Sequence, residues 1–270
     1  MLHLALPIFM PFVPLSQAGD VPEPLLQRSG HVRVLRIENA KPSKDPIVGS
    51  LSDGDHGIIV LNKNSKAEIV LEVRDSVSIE IFLEEGACLS LLCIESENAI
   101  VKQLSSVGAH AHLSVQNISL GEDIEHECIA EIQGKDARSD IDWIFYADEN
   151  QNQKLSAQNV FEAQNGSGEI TMKGVAQDRA RVRCDGAINI GKKGNKTDTY
   201  LTEDVLMLDP TAKVDAIPGL EIKTNDVRAS HSATVSKVTD EDLFYFASRG
   251  IPKSSARHMY VQGFLGERVA

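Results

Sequence analysis

The side chains with the greatest capacity for chemistry in this chain are its histidines, cysteines and aspartates. His231 stands between small residues, Ala229-Ser230 before it and Ser232-Ala233 after it. Small neighbours let another chain approach the backbone closely. A buried, hydrogen-bonded structural histidine fits the same residues. His110 and His112 read as neighbours on one strand face, two ligands of a metal site without a visible third. His126, between Glu125 and Glu127, reads as a solvated residue on an acidic strand. The four cysteines, Cys88, Cys93, Cys128 and Cys184, form no CxxC pair. They lack the clustering of a structural zinc site and read as small buried hydrophobes. Such usage suits a reducing compartment, so a cytoplasmic location is expected. Asp140 and Asp142 share a strand face and read as solvated. Walker-type phosphate loops, GxSxG elbows and HExxH helices do not occur; Gly191-Lys-Lys-Gly194 lacks the Ser or Thr that a phosphate loop requires.

The elements that must position these residues are short and β-type. Alternating runs such as Ala67–Val73, Val77–Leu83, Ala111–Ile118, Ile141–Tyr146 and Val182–Ile190 recur down the chain, joined by turns such as Asp53-Gly54 and Asn165-Gly166. A series this long exceeds the needs of a two-sheet sandwich and predicts a solenoid in which each coil rests on the last. A large sandwich or jelly roll is the alternative. After residue 238 the pattern turns helical. Thr239 is placed to cap a helix beginning Asp240-Glu-Asp242, with Asp242 as its box partner, and Pro252 opens a second helix. Two helices this short must pack on the end of the solenoid or on another protein.

The totals limit the partners. The chain has 270 residues and a net charge of −12, which disfavours nucleic acid. Residues 1–15 are apolar but broken by Pro7, Pro11 and Pro14, with no Lys or Arg before Arg28. Neither a secretory signal nor a membrane span fits, and residues 1–30 are expected to form an extended arm. Residues 31–238 are expected to be the β-helix and 239–270 the helical segment.

The segments Leu220-Glu-Ile222, Asp226-Val227, Ser230-His-Ser-Ala-Thr234, Leu243-Phe-Tyr-Phe246 and Ser248-Arg-Gly-Ile251 together resemble the carboxy-terminal signature of the SufB/SufD family of iron–sulfur cluster assembly proteins. The resemblance implies an all-β fold, a right-handed parallel β-helix with a short carboxy-terminal helical region. It also implies a scaffold without catalysis of its own, which pairs with a SufB-like chain, or with itself as a homodimer, and with a SufC-like ABC ATPase. The cofactor it implies is an iron–sulfur cluster, transient and shared with the partner. His231 is then the candidate cluster ligand at the subunit junction. Leu220, Glu221 and Ile222 are candidates for pairing with the partner chain, and Phe244, Tyr245 and Arg249 for docking the ATPase. The chain looks closer to SufD than to SufB, because Ser232 stands where SufB-type chains carry Glu. Ala229 replaces the Cys frequent in SufD-type chains, so thiol ligands would come from the partner. Residues 1–30 leave no room for the amino-terminal helical domain the resemblance implies. Two other readings remain at this point: a β-helix hydrolase or lyase acting on polysaccharide, and a self-sufficient homodimeric SufB-like scaffold.

Overall fold

The structure is a computed structural model that describes residues 13–14, 31–38 and 45–266. The expected amino-terminal arm, 1–30, lies outside the described residues except for Val13–Pro14. The first strands are β1 (Val13–Pro14), β2 (Val32–Ile37), β3 (Ile47–Leu51), β4 (His56–Leu61), β5 (Lys66–Val73) and β6 (Asp75–Leu83). They are followed by β7 (Cys88–Glu95), β8 (Ala99–Val107), β9 (His112–Ser119), β10 (Asp123–Ile132), β11 (Arg138–Ala147) and β12 (Asn152–Phe161). The last strands are β13 (Ser167–Ala176), β14 (Arg181–Ile190), β15 (Asp198–Met207), β16 (Lys213–Ala216), β17 (Gly219–Ile222) and β18 (Arg228–Lys237), and the helices are α1 (Asp240–Ser248) and α2 (Lys253–Leu265).

Even-numbered strands stack in one sheet from β2 to β16, with β17 also on β14 and β1 antiparallel to β2 at the far edge; odd-numbered strands from β3 to β15 stack in the second, with β18 beyond β15. All other pairings are parallel. The chain thus alternates between the two sheets, two strands to a coil, in a parallel β-helix of the expected class. Strands within the stack are hydrogen-bonded by the coils before and after them, and side chains alternate between the interior and the outer face.

Register aligns the interior residues into columns. One runs Ile47, Ile69, Leu91, Val115, Ile141, Ile170 and Leu201. A neighbouring column holds Leu71, Cys93, Asn117, Trp143, Met172 and Glu203. The columns are filled by complementary sizes. Phe145 pairs with Gly174 in the next coil, and a Cβ on Gly174 would lie 2.1 Å from the Phe145 ring.

A repeat invisible in the residue types marks one corner. Asn64, Gly86, His110, Asp136, Asn165 and Lys196 each take positive φ, once per coil, and each donates its amide to a carbonyl of the following coil. A small residue follows every one: Ser65, Ala87, Ala111, Ala137, Gly166 and Thr197. The left-handed turn bends the chain sharply, and only a small side chain fits the inside of the bend. His110 therefore sits in a turn and His112 begins the next strand, so the two do not share a strand face.

The capping box forms as its residues suggest: the Asp242 amide donates to Thr239 Oγ1 at 3.2 Å and the Thr239 amide to Asp242 at 2.9 Å. The helices do not pack on the end of the solenoid, as expected, but on its flank. Leu265, Tyr260, Val261 and Phe264 cover Ile144, Val175, Leu206 and Leu208 on the outer face of the second sheet. Arg257 ties α2 to Asp209 at 2.8 Å. The outward residues of β11, β13 and β15 are apolar there, and they give the helices a surface to cover.

The Phe145–Gly174 fit yields a test. Gly174→Ala should destabilise the protein by about 1–3 kcal/mol through overpacking. In a Phe145→Leu background the same change should cost much less. Urea unfolding midpoints of the four chains measure the coupling, and equal penalties in both backgrounds would show that the two residues do not compete for space.

Candidate functional site

The carboxyl-terminal end of the β-helix is open. Among the described residues, β18 is bonded within the sheets only to β15, and β16 and β17 only to β14. Their inward-facing residues continue the interior columns but have no further coil above them. His231 pairs with Leu201 and so ends the aliphatic column that begins at Ile47. Leu220 and Ile222 continue from Ile188 and Ile190 on the opposite sheet. All three are exposed, with Leu220 at 37% and Ile222 at 40% although their column neighbours are buried. Ala229, Ala233 and Val235 share the inward phase of β18 with His231. The open end thus presents an apolar rim, one imidazole and two unpaired strand edges.

One layer below lies Glu203, in the same column as Ala233. Its carboxylate crosses the interior to accept the Gly186 amide at 2.7 Å. Gly186 must lack a side chain here, since a Cβ would lie 2.6 Å from Leu201 and 2.8 Å from Glu203. Burial pushes the Glu203 carboxyl up to about 7. Cys184, one coil below Ala216, is also buried, and desolvation followed by the Glu203 charge raises its thiol.

The remaining candidates fall elsewhere. Glu221 alternates to the outer face and pairs with Lys223 at 3.0 Å. Phe244 and Tyr245 are 72% and 58% exposed on α1, and Arg249 stacks 5.6 Å from the Tyr245 ring. The structure does not bring these three to the open end through any contact. Leu243 and Phe246 hold the other side of α1, with Phe246 5.4 Å from Tyr260.

His126 departs from its sequence reading. It is buried inside the solenoid, not solvated, because it shares its strand phase with Ile124 and Cys128. Its Nδ1 contacts Glu95, which also accepts from Ser119 at 2.6 Å; Trp143 Nε1 donates to that Ser119 hydroxyl at 2.9 Å. Counting the strand alternation from Ile124 locates His126 inside, but the acidic neighbours mask it. Cys93 and Cys128 lie in the same interior, their thiols raised by burial, Cys128 to about 12. Asp140 is likewise not simply solvated: Arg138 grips it at 2.6 Å and His112 at 3.0 Å. Among the described residues, no group of three His, Cys, Asp or Glu side chains stands together as a metal cage. No described helix is long and apolar enough to cross a membrane.

Residues 49–264 match the family described as SUF system FeS cluster assembly, SufBD core domain. The chain belongs to the SufBD family. Among its relatives, the iron–sulfur cluster assembly protein SufD of Escherichia coli (strain K12) is 39% identical over 95 residues, 35% of this chain and 22% of that protein. The iron–sulfur cluster assembly protein SufB of Bacillus subtilis (strain 168) is 33% identical over 134 residues, 50% of this chain and 29% of its own length. An iron–sulfur cluster assembly SufBD family protein of Mycobacterium tuberculosis (strain ATCC 25618 / H37Rv) is 33% identical over 132 residues, 49% of this chain and 16% of the relative. Each match spans less than a third of the relative. The matched span takes in most of the β-helix, its open end, α1 and α2 as far as Phe264.

Glu203 gives the site a pH signature. A carboxyl raised from 4.5 to about 7 holds its proton in the folded state after the unfolded chain has released it. Its contribution to stability is therefore full below about pH 4.5 and lost as pH rises towards 7. Glu203→Gln keeps the acceptor for Gly186 and removes the titration. The difference in melting temperature between the two chains should move in favour of the variant between pH 4.5 and 7; a constant difference would place the Glu203 pKa outside that window.

Proposed function

We propose that this chain is a SufD-like scaffold subunit of an iron–sulfur cluster assembly complex, without catalysis of its own. The observation that carries the proposal is the open end: His231 continues, in place of an aliphatic residue, a column whose six preceding members, Ile69 to Leu201, are buried. A polar ligand there suits a shared boundary, whereas the exposed Leu220, Ile222 and Val235 call for cover.

In this reading β17 and β18 pair backbone to backbone with a SufB-like chain or with a second copy of this one. The partner supplies the soft thiolate ligands. The interior cysteines of this chain are buried with raised thiols, and Cys184, the one nearest the mouth, is shielded by the coil above it. The neutral imidazole of His231 contributes one nitrogen ligand to a transient cluster, which is cargo passed on to other proteins. Phe244, Tyr245 and Arg249 form the exposed face of α1, where an apolar groove on an ABC-type ATPase would seat. Membership in the SufBD family and the relatives named SufD and SufB support this assignment, and Ser232 after His231 favours the SufD side.

His231→Ala should leave melting temperature and partner copurification unchanged and lower the iron and sulfide content of the reconstituted complex several-fold. Unchanged cluster content would remove His231 from the ligand set. The docking face is tested by Phe244→Ala with Tyr245→Ala. Both side chains are exposed, so stability should change by less than about 0.5 kcal/mol each. Copurification of the ATPase should fall. Retained ATPase binding would move the docking surface elsewhere.

A further inference from the structure

The outer face of the second sheet carries a second cluster, far down the stack from the open end and independent of the cluster-assembly reading. Lys66, Cys88, His112 and Arg138 are successive partners across β5, β7, β9 and β11, one per coil. Ladder neighbours stand about 4.8 Å apart, so Cys88 sits between Lys66 and His112 on the outer face of the sheet. The imidazole is held from its far side. His112 Nε2 meets Asp140 at 3.0 Å, and Asp140 is itself fixed by Arg138 at 2.6 and 2.8 Å and by the Glu169 amide at 3.1 Å. A carboxylate at Nε2 fixes the proton there and leaves Nδ1 as the basic nitrogen. Lys66 makes no ion pair among the described residues.

Lys66, Cys88 and His112 line a groove of about 280 Å³, completed by Ala67, Glu68, Leu89, Ser90 and Ser114; Asp140 and Arg138 lie outside it. Cys88 is the only one of the four cysteines that is not buried, and its thiol makes only a weak 3.9 Å contact with the Gly86 carbonyl. The other three are closed off inside the solenoid. Thiol reactivity in the folded chain is thereby confined to one position, beside a base and a cation, in a groove of a size suited to a small molecule.

We propose that Cys88 is a thiol-modification site that forms mixed disulfides with small carboxylate-bearing disulfides. His112 takes the thiol proton. The Cys88 thiolate attacks one sulfur of the incoming disulfide; a new S–S bond forms to Cys88 as the original S–S bond breaks. The departing thiolate leaves with the electron pair of the broken bond and recovers a proton from His112 or solvent. The incoming disulfide is the oxidant, so no further reagent enters the balance. Lys66 attracts the carboxylate of the incoming molecule.

The test uses the full native chain and two probes: the dianionic aryl disulfide dithiobis(nitrobenzoate) and the neutral alkylating agent iodoacetamide. One thiol per chain should react rapidly with each, and mass mapping should place the label on the Cys88 peptide. Cys88→Ser should abolish the fast phase. His112→Asn should slow both probes ~10-fold, with the rate recovered by added imidazole, a rescue that a merely structural role for His112 would not permit. Lys66→Met should slow the dianionic disulfide and leave iodoacetamide unchanged. Oxidised glutathione should give a mixed disulfide at Cys88 that dithiothreitol reverses. A fast thiol surviving in Cys88→Ser, label mapping to another cysteine, or unchanged rates in His112→Asn would each overturn the proposal. Mapping on the unmodified chain needs no variant to fold.

Discussion

Every coil of this β-helix completes its backbone hydrogen bonds through the coils above and below it. A buried peptide group without a partner is costly, so the parallel ladder dictates the register of each strand, and the register dictates which side chains share a column. The inward phase of each strand then becomes a chain of contacts running the length of the molecule. The same requirement cannot be met at the last coil. The edges of β16, β17 and β18 and the columns ending in Leu220, Ile222 and His231 are left at the surface by the logic that closes every earlier coil.

Most columns are aliphatic, and the polar interruptions are the informative positions. Glu95, Ser119, His126 and Trp143 are linked by hydrogen bonds inside the solenoid, with His126 Nε2 left without a partner among the described residues. Glu203 is held less completely, by one backbone amide that Gly186 brings within reach, and its carboxyl is correspondingly raised. It lies one coil beneath the rim where His231 emerges.

The outer faces divide the molecule by a different rule. Where β11, β13 and β15 present Ile144, Val175 and Leu206 outward, α2 covers them and leaves one side of α1 free. Earlier in the stack the same sheet presents Lys66, Cys88, His112 and Asp140, and the groove stays open. A single sheet therefore carries a helix-packing surface and an open groove at different heights, set by which residues fall in the outward phase.

The sequence alone was enough for the fold class, because alternation over short runs is a local property of a strand with one dry face. It was also enough for the helix starts: Thr239 and Asp242 bond across three residues, and Pro252 acts on its own backbone. The small residues around His231 were legible for the same reason. What lay beyond it was adjacency across coils. A coil takes 22 residues where Lys66 pairs with Cys88 (66 to 88) and 32 where Arg181 pairs with Lys213 (181 to 213), so no fixed period brings the columns into line. The Cys88–His112–Asp140 cluster, the path of Glu203 across the interior to Gly186, and the place of His231 at the end of an aliphatic column exist only through that register. His126 shows the boundary between the two. Its phase within β10 was a local fact, but its partner Glu95 comes from β7, and only the winding of the two sheets around one interior brings them together.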